Sequence, residues 1–264
     1  MTGPVELGWP GLAAAACLLL LNGALSAALG LGLGKKILIA TIRTTVQLSI
    51  LGWILVPVFA TANPYLTLGI CAILLTLAAR ESLRRNKRGF SKGGISAFLS
   101  LLLGVTATMA VATQTVIDVT PWYDPRYLIP LVGMILGNGL NGISIGLDRA
   151  LGLISENTDR VELLLMRGGN RWEAARPVAS EAIRAGMVPI LNAMSVVGMV
   201  SIPGMMTGQI LGGTPPELAA KYQILIMFLI AAATALSVTG IVFGAMIRLF
   251  DGDHRLRVDR VVEH

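Results

Sequence analysis

The stretch that decides the fold covers residues 186–223 and reads GMVPILNAMSVVGMVSIPGMMTGQILGGTPPELAAKYQ. It contains an apolar run long enough to cross a bilayer, for which about 20 residues are needed. Pro189, the Pro203-Gly204 pair and Gln209 interrupt that run, whereas a helix that only anchored the chain would lack such breaks. Proline removes a backbone donor, so carbonyl groups are freed at membrane depth and need partners from protein or from water in a cavity. The pattern therefore indicates a substrate path through a transporter.

The composition of the whole chain also places it in a membrane. Hydrophobic residues make up 54% of the sequence and charged residues only 14%, and the mean hydropathy is +0.73. An ordinary soluble domain has about 25% charged residues. Strands that alternate apolar and polar residues, as a membrane β-barrel requires, are not seen in the sequence. We therefore predict an all-α polytopic membrane protein that forms one transmembrane domain over residues 1–264.

Several apolar runs have about the length of a transmembrane helix, although the third is short. They cover residues 12–33, 37–59, 64–79, 95–119, 127–147, 187–207 and 224–249. The one long hydrophilic stretch, residues 148–185, lies between the fifth and sixth runs. We therefore predict about seven transmembrane helices with a cytoplasmic helical coupling segment at 148–185.

The basic residues predict the orientation, because Lys and Arg in short loops are retained on the cytoplasmic side. If the N-terminus lies outside, 18 of the 21 basic residues are cytoplasmic, Arg126 and Lys221 are outside, and Arg43 is within a span. The cytoplasmic ones are Lys35, Lys36, Arg80, Arg84, Arg85, Lys87, Arg88, Lys92, Arg149, Arg160, Arg167, Arg171, Arg176, Arg184, Arg248, Arg255, Arg257 and Arg260. We expect an inner (plasma) membrane protein with a cytoplasmic C-terminus. This asymmetry explains the net charge of +6 without a nucleic-acid partner.

The hydrophilic segment 148–185 contains signals for two helices. Asn157 or Thr158 can cap the first helix, and Val161, Leu164 and Leu165 give it a narrow apolar face. Such a short amphipathic helix either docks into a partner protein or lies on the membrane lipid headgroups.

A glycine pair ends the first helix and a polar cap begins the second. Gly168 and Gly169 stop the first helix, and Asn170 with Glu173 forms a capping-box pattern at the start of the next. A short helix, a glycine turn and a second helix that leads into the membrane are what a permease needs to receive force from an ATPase.

Three ordered motifs resemble the FetB family of bacterial ABC-transporter permeases, which is linked to iron export and related to plant aluminium-tolerance proteins. The first motif is Arg43, Gln47 and Leu48, similar to the family's RxxxQL. The second is PLVGMILGN at 130–138, and the third is VGMVSIPGMMTGQILGG at 197–213, followed by KYQILIMF. The resemblance covers nearly the whole chain and implies a permease subunit that exports iron or another metal.

The resemblance also implies partners. Lys35 and Lys36 follow a glycine-rich run, but the phosphate-loop pattern is not matched, so no nucleotide cofactor is expected in this chain. ATP and Mg²⁺ would bind a separate ABC ATPase, and two copies of this non-enzymatic chain would form a homodimer. The residues that resemble the family's ATPase-coupling loop, together with the apolar face of the first helix, are Glu162, Leu164, Leu165, Gly168, Gly169, Trp172 and Glu173.

Polar and helix-breaking residues within the spans are the candidates for the substrate path. They are Arg43, Gln47, Asn138, Asn141, Asn192, Ser201, Pro203, Gly204, Met205, Met206 and Gln209. Each has an alternative role: Arg43 can snorkel to the surface near Lys36, the asparagines can hydrogen-bond between helices, and the methionines can simply pack. His254 and His264 lie in the tail, so any metal ligands in the spans would be oxygen or thioether groups, and no particular set is predicted.

Other functions stay open at this point. The related plant proteins leave a nucleotide sugar or another organic substrate possible. A secondary transporter that works without an ATPase should carry a membrane-buried acid for ion coupling, and Asp118 and Asp148 sit only at span ends.

Overall fold

The protein is all-α, as the sequence predicts. The structure is a computed structural model that describes residues 8–86, 88–113 and 121–263. Within these residues nine helices are present: α1 (Trp9–Ala28), α2 (Gly34–Thr61), α3 (Pro64–Arg84), α4 (Gly93–Val111), α5 (Pro125–Glu156), α6 (Thr158–Met166), α7 (Arg171–Val196), α8 (Gly204–Leu211) and α9 (Pro216–Leu249). Six of them, α1 to α5 and α9, are long and apolar enough to cross a membrane. The chain is therefore a multi-pass membrane protein.

The predicted span at 187–207 is not one helix. Helix α7 ends at Val196 and α8 begins at Gly204. Between them Gly198 adopts a φ of +82°, and its N–H donates to the carbonyl of Ser201 at 2.9 Å. The left-handed glycine lets the chain form a tight turn from Val197 to Ser201, so the break is a turn between two helices rather than a kink within one. The count of seven spans stays a prediction, because it requires α7 and α8 together to cross the membrane as one span.

Other boundaries differ because charged residues interrupt hydropathy without interrupting a helix. Helix α5 runs through Asp148 to Glu156, so the predicted boundary at 147 falls inside it. Its 32 residues extend over about 48 Å, well beyond the roughly 30 Å hydrocarbon core. Helix α3 continues past residue 79 to Arg84. Lys87, Asp118 and the predicted end of the fourth span at 119 lie outside the described residues.

Helix α5 forms the centre of the bundle and packs against α3, α7 and α9, while α4 packs mainly against α9. Ile143 and Leu147 on α5 and Ile241 on α9 are completely buried. By contrast, α1 and α2 contact each other and hardly touch the other helices. The α1–α2 hairpin is therefore attached loosely to a compact body made of α3 to α9.

Small residues allow the body helices to approach closely. A Cβ atom added at Gly186 of α7 would lie 2.7 Å from a methyl group of Val238 and 2.8 Å from the carbonyl oxygen of Gly142. These distances are shorter than van der Waals contact, so only glycine fits. Close backbone approach at small residues is a usual way to pack transmembrane helices, because lipid offers no hydrophobic drive for association.

We expect Gly186→Ala to destabilise the protein by about 1–3 kcal/mol, because the added methyl group overpacks the α5–α7–α9 junction. Gly69→Ala on α3 is the matched control, since a Cβ there meets no atom within 4 Å. The control should be neutral or slightly stabilising, because alanine favours a helix interior over glycine. Thermal unfolding in detergent measures both, and equal melting temperatures for Gly186→Ala and the unmodified protein would contradict the expectation.

The C-terminal tail folds back onto the connection between α3 and α4. Strand β2 (Val261–Glu263) pairs antiparallel with β1 (Arg88–Phe90), and Phe250 after α9 is buried. The backbone N–H groups of Arg255 and Asp253 donate to the Asp251 carboxylate at 2.8 and 3.0 Å. These hydrogen bonds lower the pKa of Asp251. The tail is thus an ordered clasp at the end of the bundle that carries Arg80, Arg84 and Arg85, called here the basic end.

Candidate functional site

A cavity of about 420 Å³ lies where α2, α3 and α5 meet. Arg43 and Gln47, both predicted for the substrate path, line it from α2. The other lining residues are Leu74, Leu77, Ala78, Arg80, Glu81, Arg84, Gly133, Leu136, Gly137 and Leu140. Three arginines and one glutamate leave an excess of positive charge. This α2–α3–α5 cavity favours anions.

Glu81 connects the α1–α2 hairpin to the body. One of its carboxylate oxygens lies 3.8 Å from Arg43 Nη2, and the other lies 3.7 Å from Nε of Arg85. Arg43 therefore has an acidic partner on α3 as well as the route to the surface near Lys36. Glu81 was not among the predicted site residues, because the third apolar run ends at residue 79 and the pairing joins residues far apart in the chain.

The predicted residue Asn141 and its neighbour Ser144 join α5 to the C-terminal end of α3. Arg85 Nη1 donates to Oδ1 of Asn141 at 2.7 Å, and the Ser144 hydroxyl donates to Oδ1 of Asn86 at 2.7 Å. Asn138 instead donates to the Met134 carbonyl of its own helix at 2.9 Å. The role of Asn141 is thus a hydrogen bond between α5 and the end of α3. Asn141 does not line the α2–α3–α5 cavity itself, and Arg85 connects it to Glu81, which does.

One face of α5 forms an open groove. Pro130, Gly133, Gly137 and Asn141 follow one another at three- and four-residue steps, so they share one side of the helix. A Cβ atom added at Gly133 or Gly137 would meet no atom within 4 Å. The two glycines therefore leave unfilled space along α5 rather than allowing a neighbouring helix to pack.

The same face of α5 leads to a second, smaller pocket beside α8 and α9. This α5–α8–α9 pocket has a volume of about 170 Å³. Its lining residues are Arg126, Tyr127, Pro130, Leu131, Met205, Gln209, Tyr222 and Ile226. Oε1 of Gln209 is buried and accepts no hydrogen bond within the described part of the chain. Met205 and Gln209 are thus the residues of the predicted break that reach a cavity.

The remaining candidates do not join either cavity. Asn192 and Ser201 are exposed on α7 and on the turn after it, and Met206 is half-buried beside Met205. Pro203 and Gly204 set the start of α8. Among the described residues no three His, Cys, Asp or Glu side chains come together as a metal site.

The coupling segment has the predicted glycine turn and capping box. Gly168 has a φ of +87°, and its N–H and that of Gly169 donate to the carbonyls of Leu165 and Leu164. This is a Schellman motif, in which glycine ends a helix. Asn170 then accepts from the Glu173 N–H, and Glu173 accepts from the Asn170 N–H, which begins α7.

The predicted side-chain cap of α6 is wrong. Asn157 occupies the cap position, but its side chain makes no capping hydrogen bond. Instead Asn157 Nδ2 and the Thr158 hydroxyl donate to the carbonyls of Leu153 and Ile154. Helix α5 ends immediately before α6, so the carbonyl groups of its last turn, which have few helical donors, attract these side chains.

Helix α6 has an inner and an outer apolar face. Val161 is buried, and Leu164 and Leu165 are half-buried against the core, so they attach α6 to the bundle. Leu163 and Met166 point outward and are 44% and 77% exposed. Only the inner leucines were predicted to dock into a partner, although helical spacing alone separates the two faces.

Glu162 on α6 and Trp172 near the start of α7 are further exposed side chains of the coupling segment. Trp172, 39% exposed, stacks at 5.8 Å on Phe243 of α9 and lies under the Arg171 guanidinium. The exposed set of Glu162, Leu163, Met166 and Trp172 is called here the docking face.

Comparison with known proteins identifies the family. The model of a family described as "Uncharacterised protein family (UPF0014)" matches residues 9–250. The chain belongs to the UPF0014 family. A UPF0014 membrane protein of Synechocystis is 38% identical over 87% of this chain and 88% of its own length. No solved structure matches the chain.

Two further UPF0014 relatives have descriptive names. The "Probable iron export permease protein FetB" of Escherichia coli is 28% identical over 88% of each chain. The "Protein ALUMINUM SENSITIVE 3" of Arabidopsis thaliana is 30% identical over 86% of this chain and 82% of its own length. These matches confirm the resemblance to FetB-like proteins.

The three motifs that carry this resemblance meet along one face of α5. Arg43 and Gln47 line the α2–α3–α5 cavity, and Gly133 and Gly137 form the groove. Met205, from the third motif, lines the α5–α8–α9 pocket. Residues far apart in the chain of this UPF0014 protein therefore contribute to two cavities that border the same helix, α5.

Proposed function

We propose that the protein is the membrane-spanning permease subunit of an ABC transporter that exports iron or another metal with a separate ATPase. The observation that carries this proposal is the docking face. Leu163 and Met166 expose apolar surface on a helix that ends in a glycine turn and that follows directly after α5, whose length exceeds the hydrocarbon core. A rigid apolar projection in water is suited to a protein partner, because exposed apolar patches mark interaction sites.

The substrate path follows the groove on α5 between the α2–α3–α5 cavity and the α5–α8–α9 pocket. In one copy of the chain this face is open at Gly133 and Gly137. A second copy would cover it, which supports a homodimer with two ATPase subunits that bind ATP and Mg²⁺. The Arg43–Glu81 ion pair then holds the α1–α2 hairpin over one end of the path.

The charge of the cavity favours an anionic form of the cargo. Arg43, Arg80 and Arg84 outnumber Glu81 among its lining residues, and a bare metal cation would be repelled. Iron bound to an anionic chelator fits this charge, and so does an organic anion such as a nucleotide sugar. The second candidate function, an ABC permease for an organic anion, rests on this same charge.

Reconstitution tests the proposal. The permease and a candidate ABC ATPase from the same organism are placed in proteoliposomes, and ATP hydrolysis is measured with Fe²⁺, ferric citrate or UDP-glucose. We expect iron citrate to stimulate hydrolysis and to be transported, with no response when the P-loop lysine of the ATPase is replaced. Stimulation by UDP-glucose alone would favour the organic substrate, and transport without the ATPase would show a secondary transporter.

The protein resides in the inner (plasma) membrane with its N-terminus outside and its C-terminus in the cytoplasm. The basic end then faces the cytoplasm, in agreement with the retention of Lys and Arg on that side. The docking face lies on the same side as an ATPase that uses cellular ATP.

Cysteines introduced singly at Met205 and Gln209 should react with an impermeant thiol reagent added from outside. Labelling only from the cytoplasmic side would show that the orientation is the reverse of the proposed one.

A further inference from the structure

Two adjoining cavities follow α3 and α4, and the one at the basic end shares Arg80 and Arg84 with the α2–α3–α5 cavity. The one at the basic end measures about 530 Å³ and is lined by Arg80, Arg84 and Asn86 together with apolar groups. The other measures about 680 Å³ and extends to Trp122 near the opposite end. Phe98 lines both, so together they form one elongated α3–α4 groove.

The larger part of the groove is suited to a hydrocarbon chain. Its lining is almost entirely apolar, and the hydroxyls of Thr106 and Thr113 donate to carbonyls of their own helix turn rather than into the groove. From Phe98 to Thr113 the helical rise amounts to about 22 Å. One leaflet of the hydrocarbon core is about 15 Å thick, half of the bilayer core. The groove is therefore long enough for a lipid tail.

The basic end of the groove presents donors without acceptors. Arg80 and Arg84 lie one helical turn apart and have no ion-pair partner within residues 8–86, 88–113 and 121–263. Asn86 is only 6% exposed. Its Oδ1 accepts from Ser144, but its Nδ2 has no hydrogen-bond partner among the described residues. A buried donor beside two guanidinium groups is stabilised by an anionic acceptor.

We propose that the α3–α4 groove binds one anionic phospholipid from the leaflet at the basic end. The phosphate accepts hydrogen bonds from Arg80, Arg84 and Asn86 Nδ2, and one tail lies along Phe98 toward Trp122. Basic pockets between transmembrane helices are known to select anionic lipid headgroups. Neither a transported substrate nor an ATPase is needed for this binding, so the proposed function can fail without affecting it.

Native mass spectrometry of the full-length protein tests the headgroup site. The protein is extracted in detergent and equilibrated with vesicles of phosphatidylglycerol or of phosphatidylcholine. We expect about one phosphatidylglycerol per chain and little phosphatidylcholine. Replacing the two exposed arginines in Arg80→Gln/Arg84→Gln should reduce retention at least about tenfold. Asn86→Asp keeps the acceptor for Ser144 but removes the amide donor, so it should also reduce the retention of phosphatidylglycerol. Arg167→Gln/Arg176→Gln, which removes equal charge elsewhere, should retain the lipid.

A second pair of variants tests the part of the groove that would hold the lipid tail. Ala72 is exposed and lines the groove, so Ala72→Trp should fill it and prevent retention without disturbing the core. Ile73, 60% exposed and outside the lining, provides the control Ile73→Trp, which should bind normally. Equal retention of phosphatidylcholine, normal retention by Ala72→Trp, or the same thermal stabilisation by inorganic phosphate as by phosphatidylglycerol would overturn the proposal.

Discussion

Leu163→Asp/Met166→Asp should abolish the complex between the permease and its ATPase while the permease itself still folds. Both side chains are exposed on the outer face of α6, so charge there does not disturb the core. Truncation of a hot-spot residue at the centre of an interface costs at least about 2 kcal/mol, and two such costs are not fully additive, so the double change predicts a loss of affinity of at least about 100-fold. Co-purification of the co-expressed ATPase with the tagged permease measures the loss.

Two matched variants separate docking from folding. Arg176→Asp introduces a negative charge at an exposed position of α7 outside the docking face. It should leave the complex intact. Leu164→Asp/Leu165→Asp charges the half-buried inner face of α6 and should reduce the amount of folded protein. Normal ATPase recovery with Leu163→Asp/Met166→Asp would show that α6 contacts something else, such as lipid headgroups.

Gly137→Leu should reduce transport at least about tenfold without unfolding the protein. The new side chain would project into open space on α5, because a Cβ at Gly137 meets no atom within 4 Å. It would partly fill the α2–α3–α5 cavity and narrow the groove toward the α5–α8–α9 pocket. Leucine also favours a helix interior over glycine, so the change is not expected to weaken α5. Uptake of labelled cargo into inverted vesicles measures the effect.

Gly69→Leu provides the comparison for this second prediction. It makes the same change on α3, where an added Cβ also meets no neighbour, but Gly69 lines neither the cavity nor the groove. The control should transport normally. If Gly137→Leu transports as well as Gly69→Leu, the groove on α5 is not part of the substrate path.

Local signals in the sequence predicted much of the architecture. Apolar runs are read directly as membrane helices, and the turn at Gly168 and Gly169 with the cap at Asn170 follows from backbone hydrogen-bonding needs. The break around Pro203 was also expected. Its form as a turn was not, because that depends on the left-handed conformation of Gly198, which a sequence permits but does not require.

The candidate site was predictable only in part, because its geometry depends on tertiary contacts. Arg43 and Gln47 attract attention as polar residues within an apolar run, and the structure places both in one cavity. Glu81 lies in a charge-rich run that hydropathy assigns to a loop, and its pairing with Arg43 joins α3 to α2. Hydropathy also fails at Asp148. Its charge ends the apolar run in the sequence, but helix α5 continues through it to Glu156.

The contact between α4 and α9 has a consequence for biosynthesis. More than a hundred residues separate the two helices in the chain, yet α9 packs along α4 as well as α5. Ser100 and Gly104 of α4 face Gly240 and Ser237 of α9. Until α9 leaves the ribosome, these surfaces of α4 stay in lipid without their partner, and such distant contacts form late. A chain truncated before residue 216 should therefore insert but be recognised by membrane proteases as unfinished.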